Sequence, residues 1–80
     1  MNDGEIIHTI TKLVDEEHTL LKAGEHGGLD EDNDARLKSL QVQLDQCWDL
    51  LRQRRARREF GEDPNEAKVR GASTVEHYQQ

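Results

Sequence analysis

The sequence predicts an all-α protein: an antiparallel two-helix hairpin with a coiled-coil-like seam, followed by a largely disordered C-terminal tail. Three observations predict it. Apolar residues recur at helical spacing in two stretches, a glycine-rich break separates the stretches, and no run alternates as a half-buried strand would. The division that follows is a hairpin over residues 1–61 and a flexible tail over 62–80.

The first helix is expected from about Asp3 to Ala23. Asn2 followed by Glu5 has the spacing of a capping box, in which each side chain serves the other's backbone N–H. Ile6, Ile7, Ile10, Leu13, Val14, Leu20 and Leu21 fall on one stripe at about 100° per residue. Gly24 stands where a left-handed cap would end the helix. The break GEHGGLDEDN, residues 24–33, holds three glycines, each costing helix about 1 kcal/mol. Asp30, Glu31, Asp32 and Asp34 suit the positive end of a helix dipole, so the second helix is expected from about Glu31 to Phe60. Leu37, Leu40, Leu44, Cys47 and Leu51 repeat at steps of 3, 4, 3 and 4, a heptad seam that Trp48 widens. Gly61 sits at a cap position, and Asp63-Pro64 blocks further helix. The remainder is polar, with at most a transient turn at 64–69. Folding the helices together with Leu21 opposite Leu37 sets Val14 against Leu44, Ile10 against Trp48 and Ile7 against Leu51. A hairpin with so few apolar residues is marginal alone, so assembly into a helical bundle is expected.

Composition narrows the function classes. Eleven Lys+Arg against 17 Asp+Glu give a net charge of −6, and only 32% of residues are hydrophobic. No stretch approaches the roughly 18 apolar residues that span a bilayer, so no membrane partner is expected. One cysteine excludes an internal disulfide. The opening MNDGEIIH lacks a basic and then apolar signal segment, and a cytoplasmic location is the expectation.

The strongest local feature is RQRRARR, residues 52–58, in an otherwise acidic chain. Arg55 and Arg58 continue the face of Leu44 and Leu51, so the apolar seam turns basic where the first helix runs out. Arg54, Arg55 and Arg58, with Trp48 and Phe60, are the expected partner-binding residues. Three readings apply to the arginines. They favour a helix C-terminus and pair with Asp3 and Glu5, screened by Glu59, Glu62 and Asp63. They meet the acidic surface of a protein partner. Or they neutralise phosphates of RNA or DNA, a use weakened by the lack of nearby aromatics other than Phe60. Trp48 is read most simply as core, and otherwise as an interface anchor.

Glu17 interrupts the apolar stripe, with Gln41 as its expected opposite; such a polar seam residue sets register or oligomer state, or lies at the bundle edge in water. Glu5-x-x-His8 and Asp15-x-x-His18 have carboxylate–histidine spacing, but both histidines point off the stripe and the second helix offers no matching glutamate. Asp30-x-Asp32-x-Asp34 imitates a calcium loop but has Ala35 and Gln41 where glycine and glutamate belong. No metal or cofactor is expected. Cys47 is a small hydrophobe in the seam without a nearby histidine, and no catalytic constellation emerges.

The stretch LQVQLDQCWDLLRQRRARREFGEDPNEAKVR, residues 40–70, together with NDGEIIHTITKLVDEEH near the start and VEHY near the end, resembles a small actinobacterial family of proteins of unknown function (number 2630). The resemblance implies a short cytoplasmic helical protein and brings no activity or cofactor. The expectation is therefore a non-catalytic helical interaction protein, forming a homo-oligomer or binding a protein partner as an accessory subunit. The alternative is an RNA-, DNA- or ribosome-associated factor using the Arg52–Arg58 segment.

Overall fold

The computed structural model describes residues 2–28, 30–71 and 75. Among them the chain is all-α. Helix α1 runs Asp3–Ala23 and helix α2 Glu31–Glu59, and they fold back as an antiparallel hairpin. Asp3 at the start of α1 meets Arg54 near the end of α2, one step from the expected register.

The ends of the helices follow their local chemistry. The Asn2 side chain accepts from the Glu5 N–H at 2.8 Å and the Glu5 carboxylate accepts from the Asn2 N–H at 3.0 Å, the reciprocal capping box. The Asp30 carboxylate accepts from the Asn33 N–H at 2.7 Å to start α2. At the far end Gly61 adopts φ 73°, the Gly61 N–H reaches the Arg58 carbonyl at 3.2 Å and the Glu62 N–H reaches that of Arg57 at 2.7 Å. Those two bonds make a Schellman closure, which needs the left-handed residue that Gly61 supplies. Gly24 behaves differently from expectation. Its φ is −78°, and the chain continues through a 3₁₀ turn over Gly24–His26. The left-handed residue is instead Gly28, φ 78°, whose N–H returns to the Gly24 carbonyl at 2.8 Å.

Ile6, Ile10 and Leu13 of α1 bury against Leu40, Leu44 and Leu50 of α2, with Val14, Leu20, Cys47 and Leu51 at the margin. Three residues depart from the expected stripe: Ile7 and Leu21 stay about half exposed, and so does Trp48, the expected core residue. Asp49 and Leu50 are buried in addition to the heptad seam, and Arg54 is buried on its continuation. The cause is a second partner for α2.

That partner is the segment after Gly61. A 3₁₀ turn over Pro64–Glu66 starts with the Asp63 carboxylate accepting from the Asn65 N–H at 2.9 Å. Beyond it the backbone runs back along α2, held by Gln53 donating to the Lys68 carbonyl at 2.7 Å and Gln46 to that of Arg70 at 3.2 Å. Ala67 packs on the core and Val75 is buried. So the described part of the expected tail has little regular structure, yet it forms a strap on one side of the hairpin. Its polar sequence gives no apolar pattern because hydrogen bonds and ion pairs do most of the anchoring. Residues 72–74 and 76–80, the rest of that tail, lie outside the described residues.

Candidate functional site

The strap divides the hairpin into a covered back and an open front. On the back, Asp49 has no solvent-exposed surface. It sits within the run Cys47–Leu51, where a carboxylate must be paired to be buried. Its partner comes from the strap: the Arg70 guanidinium donates to both carboxylate oxygens, at 2.9 Å to Oδ2. Gln53 adds a bond at 3.0 Å, and Arg52 stands 3.9 Å away. The Arg70 contacts, then Gln53, hold the Asp49 carboxyl below the usual carboxylate range despite its burial.

Arg54 is a second tie on the same side. It is only 6% exposed. Its guanidinium donates to Asp3 on α1 and, at 3.1 Å each, to the Pro64 carbonyl and the Asn65 side chain. One arginine thus joins α1, α2 and the strap. The expectation that Arg54 belongs to a partner surface is corrected: burial and three internal partners leave it unavailable. Its neighbours are largely neutralised as well. Arg58 donates to Asp3 at 2.7 Å, and Arg57 lies 3.8 Å from Glu62 and 3.5 Å from Glu66. Arg58 and then Arg54 lower the Asp3 pKa. The pairing of this segment with Asp3 and Glu62 is the helix-end reading of the arginines, whereas Glu5 is taken by the capping box. Arg55 stays exposed, and no carboxylate among the described residues lies within 4 Å of it.

On the front, Ile7, Trp48 and Leu51 line an open groove with Asp3, Arg52, Arg55 and Arg58 at its basic end. Ile7 is 52% exposed and Trp48 48%. The helix spacing extends this surface. Ile7, Val14 and Leu21 lie within about 40° on α1, and Gln41, Trp48, Leu51 and Arg55 within about 80° on α2. Trp48 therefore faces the groove rather than the core. Glu17 is half-buried and Gln41 exposed, which places both at the edge in reach of water. Phe60, 81% exposed, caps α2 outside the groove lining.

The structure thus brings Trp48, Arg55 and Arg58 together, removes Arg54, and leaves Phe60, Glu17 and Gln41 apart from the groove. Ile7 was missed as a surface residue because its spacing fits the buried stripe. Asp49 and Arg70 were missed altogether, although an acid inside Cys47–Leu51 and a lone arginine in the tail carried a signal. Cys47 lines a small pocket with Ile6, Leu13, Leu50 and Val69, and burial pushes its thiol pKa up. His8 and His18 are exposed, and no cluster of three or more metal-ligating side chains occurs among the described residues. No helix of the described residues is long and apolar enough to cross a membrane.

The fold and site define a strapped helical hairpin with one uncovered apolar face. The chain belongs to the family described as protein of unknown function (DUF2630), which matches residues 2–80. Relatives include uncharacterized protein Rv0898c of Mycobacterium tuberculosis and uncharacterized protein Mb0922c of Mycobacterium bovis, each 49% identical over 77 residues, covering 95% of this chain and 88% of the relative. No solved structure matches the chain.

Proposed function

We propose that this protein is a small, non-catalytic, cytoplasmic interaction module that works by docking, either with itself or as an accessory subunit of a larger protein complex. The observation that supports the reading is the half-exposed Trp48 beside the half-exposed Ile7, contributed by two helices to one groove. A large aromatic costs the solvent-facing surface its solubility, and contiguous exposed apolar groups of this kind mark docking sites. The arginine segment adds a basic rim rather than a phosphate-binding stripe, because Arg54, Arg57 and Arg58 already face carboxylates of the same chain.

Affinity capture from the native cell, with and without nuclease, tests the reading. Protein association that survives nuclease, tolerates added salt and is lost in Trp48→Ala supports it. Association that disappears with nuclease, falls steeply with ionic strength and depends on Arg55 but not Trp48 refutes it in favour of nucleic acid.

A further inference from the structure

Building on the docking reading, we infer that the occupant of the front face is a second copy of this chain, laid face to face with its helices antiparallel to the first.

The first argument is which face is open. The chain's own strap already covers the back of α2 through Arg70, Lys68 and Ala67, while Ile7, Leu21 and Trp48 stay about half exposed on the front; the other exposed apolar groups, Phe60 and Val69, lie apart from that face. The second argument is spacing. Ile7 and Leu21 lie equally far on either side of Val14. A twofold axis in the interface plane that crosses α1 at Val14 sets Ile7 over Leu21 of the second copy and Val14 over itself. The Asp3–Arg54 contact places Val14 level with about Leu44. The same axis therefore sets the half-exposed Trp48 of one copy beside the exposed Gln41 of the other. A C2 contact requires such a self-complementary pattern.

The third argument is charge. The open end of the front carries Arg55 and Arg58, and the loop end carries Asp30 and Asp34. Arg58 and Asp30 each stand 14 residues from Leu44, about 21 Å along the helix in opposite directions. Antiparallel stacking brings these two ends together twice per dimer and sets Arg55, 11 residues from Leu44, within one residue of level with Asp34, 10 residues away; Arg58 keeps its own Asp3 and Asp34 its own Lys38, so Arg55 is the cation that gains a partner. Parallel stacking about an axis along the helices would instead lay α2 over α1 of the second copy and gather both arginine-bearing ends at one end of the dimer, with no acidic loop opposite them. The −6 charge of each copy opposes association in general, so these local pairs decide the orientation.

The test is sedimentation equilibrium of the full chain at micromolar concentrations, with far-UV circular dichroism to verify the fold of each variant. The expected result is a dimer. Arg55→Glu and Asp34→Arg each weaken it about tenfold, since each reverses two pairs. An equimolar mixture of these two variants forms a heterodimer as tight as the parent, because both junctions again join opposite charges. A folded monomer throughout this range overturns the inference, as does a dimer whose variants show no preference for the mixed pair. A monomer that still captures a protein through Trp48 refutes only the second copy, whereas a monomer whose capture ignores Trp48→Ala refutes the docking reading too.

Discussion

Replacing Arg70 with alanine should detach the strap from the back of α2. Asp49 is fully buried and accepts both of its strongest bonds from this guanidinium, so the substitution strands a carboxylate with only Gln53 and the more distant Arg52. Breaking a fully buried ion pair by removing one partner costs about 3–5 kcal/mol. The Arg70 side chain is 39% exposed, so water enters readily once it is gone and the cost falls to about 2 kcal/mol. For a chain of this size that lowers Tm by roughly 8–16 °C. Urea and thermal unfolding followed by circular dichroism measure it. The cycle with Asp49→Leu should show a coupling of about 1–3 kcal/mol, because the double variant no longer buries an unpaired charge. The pH dependence follows the same logic. The folded-state pKa of Asp49 lies below its unfolded value, so the stabilisation is complete above about pH 4 and is lost as the pH falls through the folded-state pKa. Arg70→Ala should therefore flatten the acid limb of the stability profile. An Arg70→Ala protein within 0.5 kcal/mol of the parent, about the scatter of neutral surface changes, would refute the tie.

Asp3→Asn should lower Tm and weaken the acid dependence of stability, since Asp3 is held ionised by Arg58 and Arg54 and its contribution is lost as pH falls; thermal melts at neutral and acid pH check this. Gly61→Ala should destabilise by about 1 kcal/mol in urea titration, because φ 73° is strained for any residue with a Cβ. The Cys47 thiol should react with a disulfide reagent far more slowly than a free thiol at neutral pH, and unfolding in urea should remove the difference.

Much of the fold was legible because its signals are local. Asn2 and Glu5 announce the start of α1, Asp30 the start of α2, and Gly61 its end, each through bonds spanning a few residues. The seam residues Leu40 and Leu44 were legible because they pack against α1 through Ile6, Ile10 and Leu13. Farther along, α2 has two partners on different sides, so Asp49 and Leu50 are buried off the heptad stripe, while the stripe itself continues into a buried arginine, Arg54. Arg54 looked like surface because composition places arginines in water; only the fold brings Asp3, Pro64 and Asn65 around it. Trp48 shows the converse. Its spacing fits the seam, but the helix has turned it toward the front, where it and Ile7 make the candidate site.

Trp48 is the sole tryptophan, so its fluorescence reports the front face directly. The decisive measurement is its emission and acrylamide quenching across a dilution series of the native chain. A second copy over Trp48 gives blue-shifted, protected emission at high concentration that turns red-shifted and readily quenched on dilution, while helix content holds. Emission and quenching that ignore concentration would contradict the claim that a second copy covers this residue.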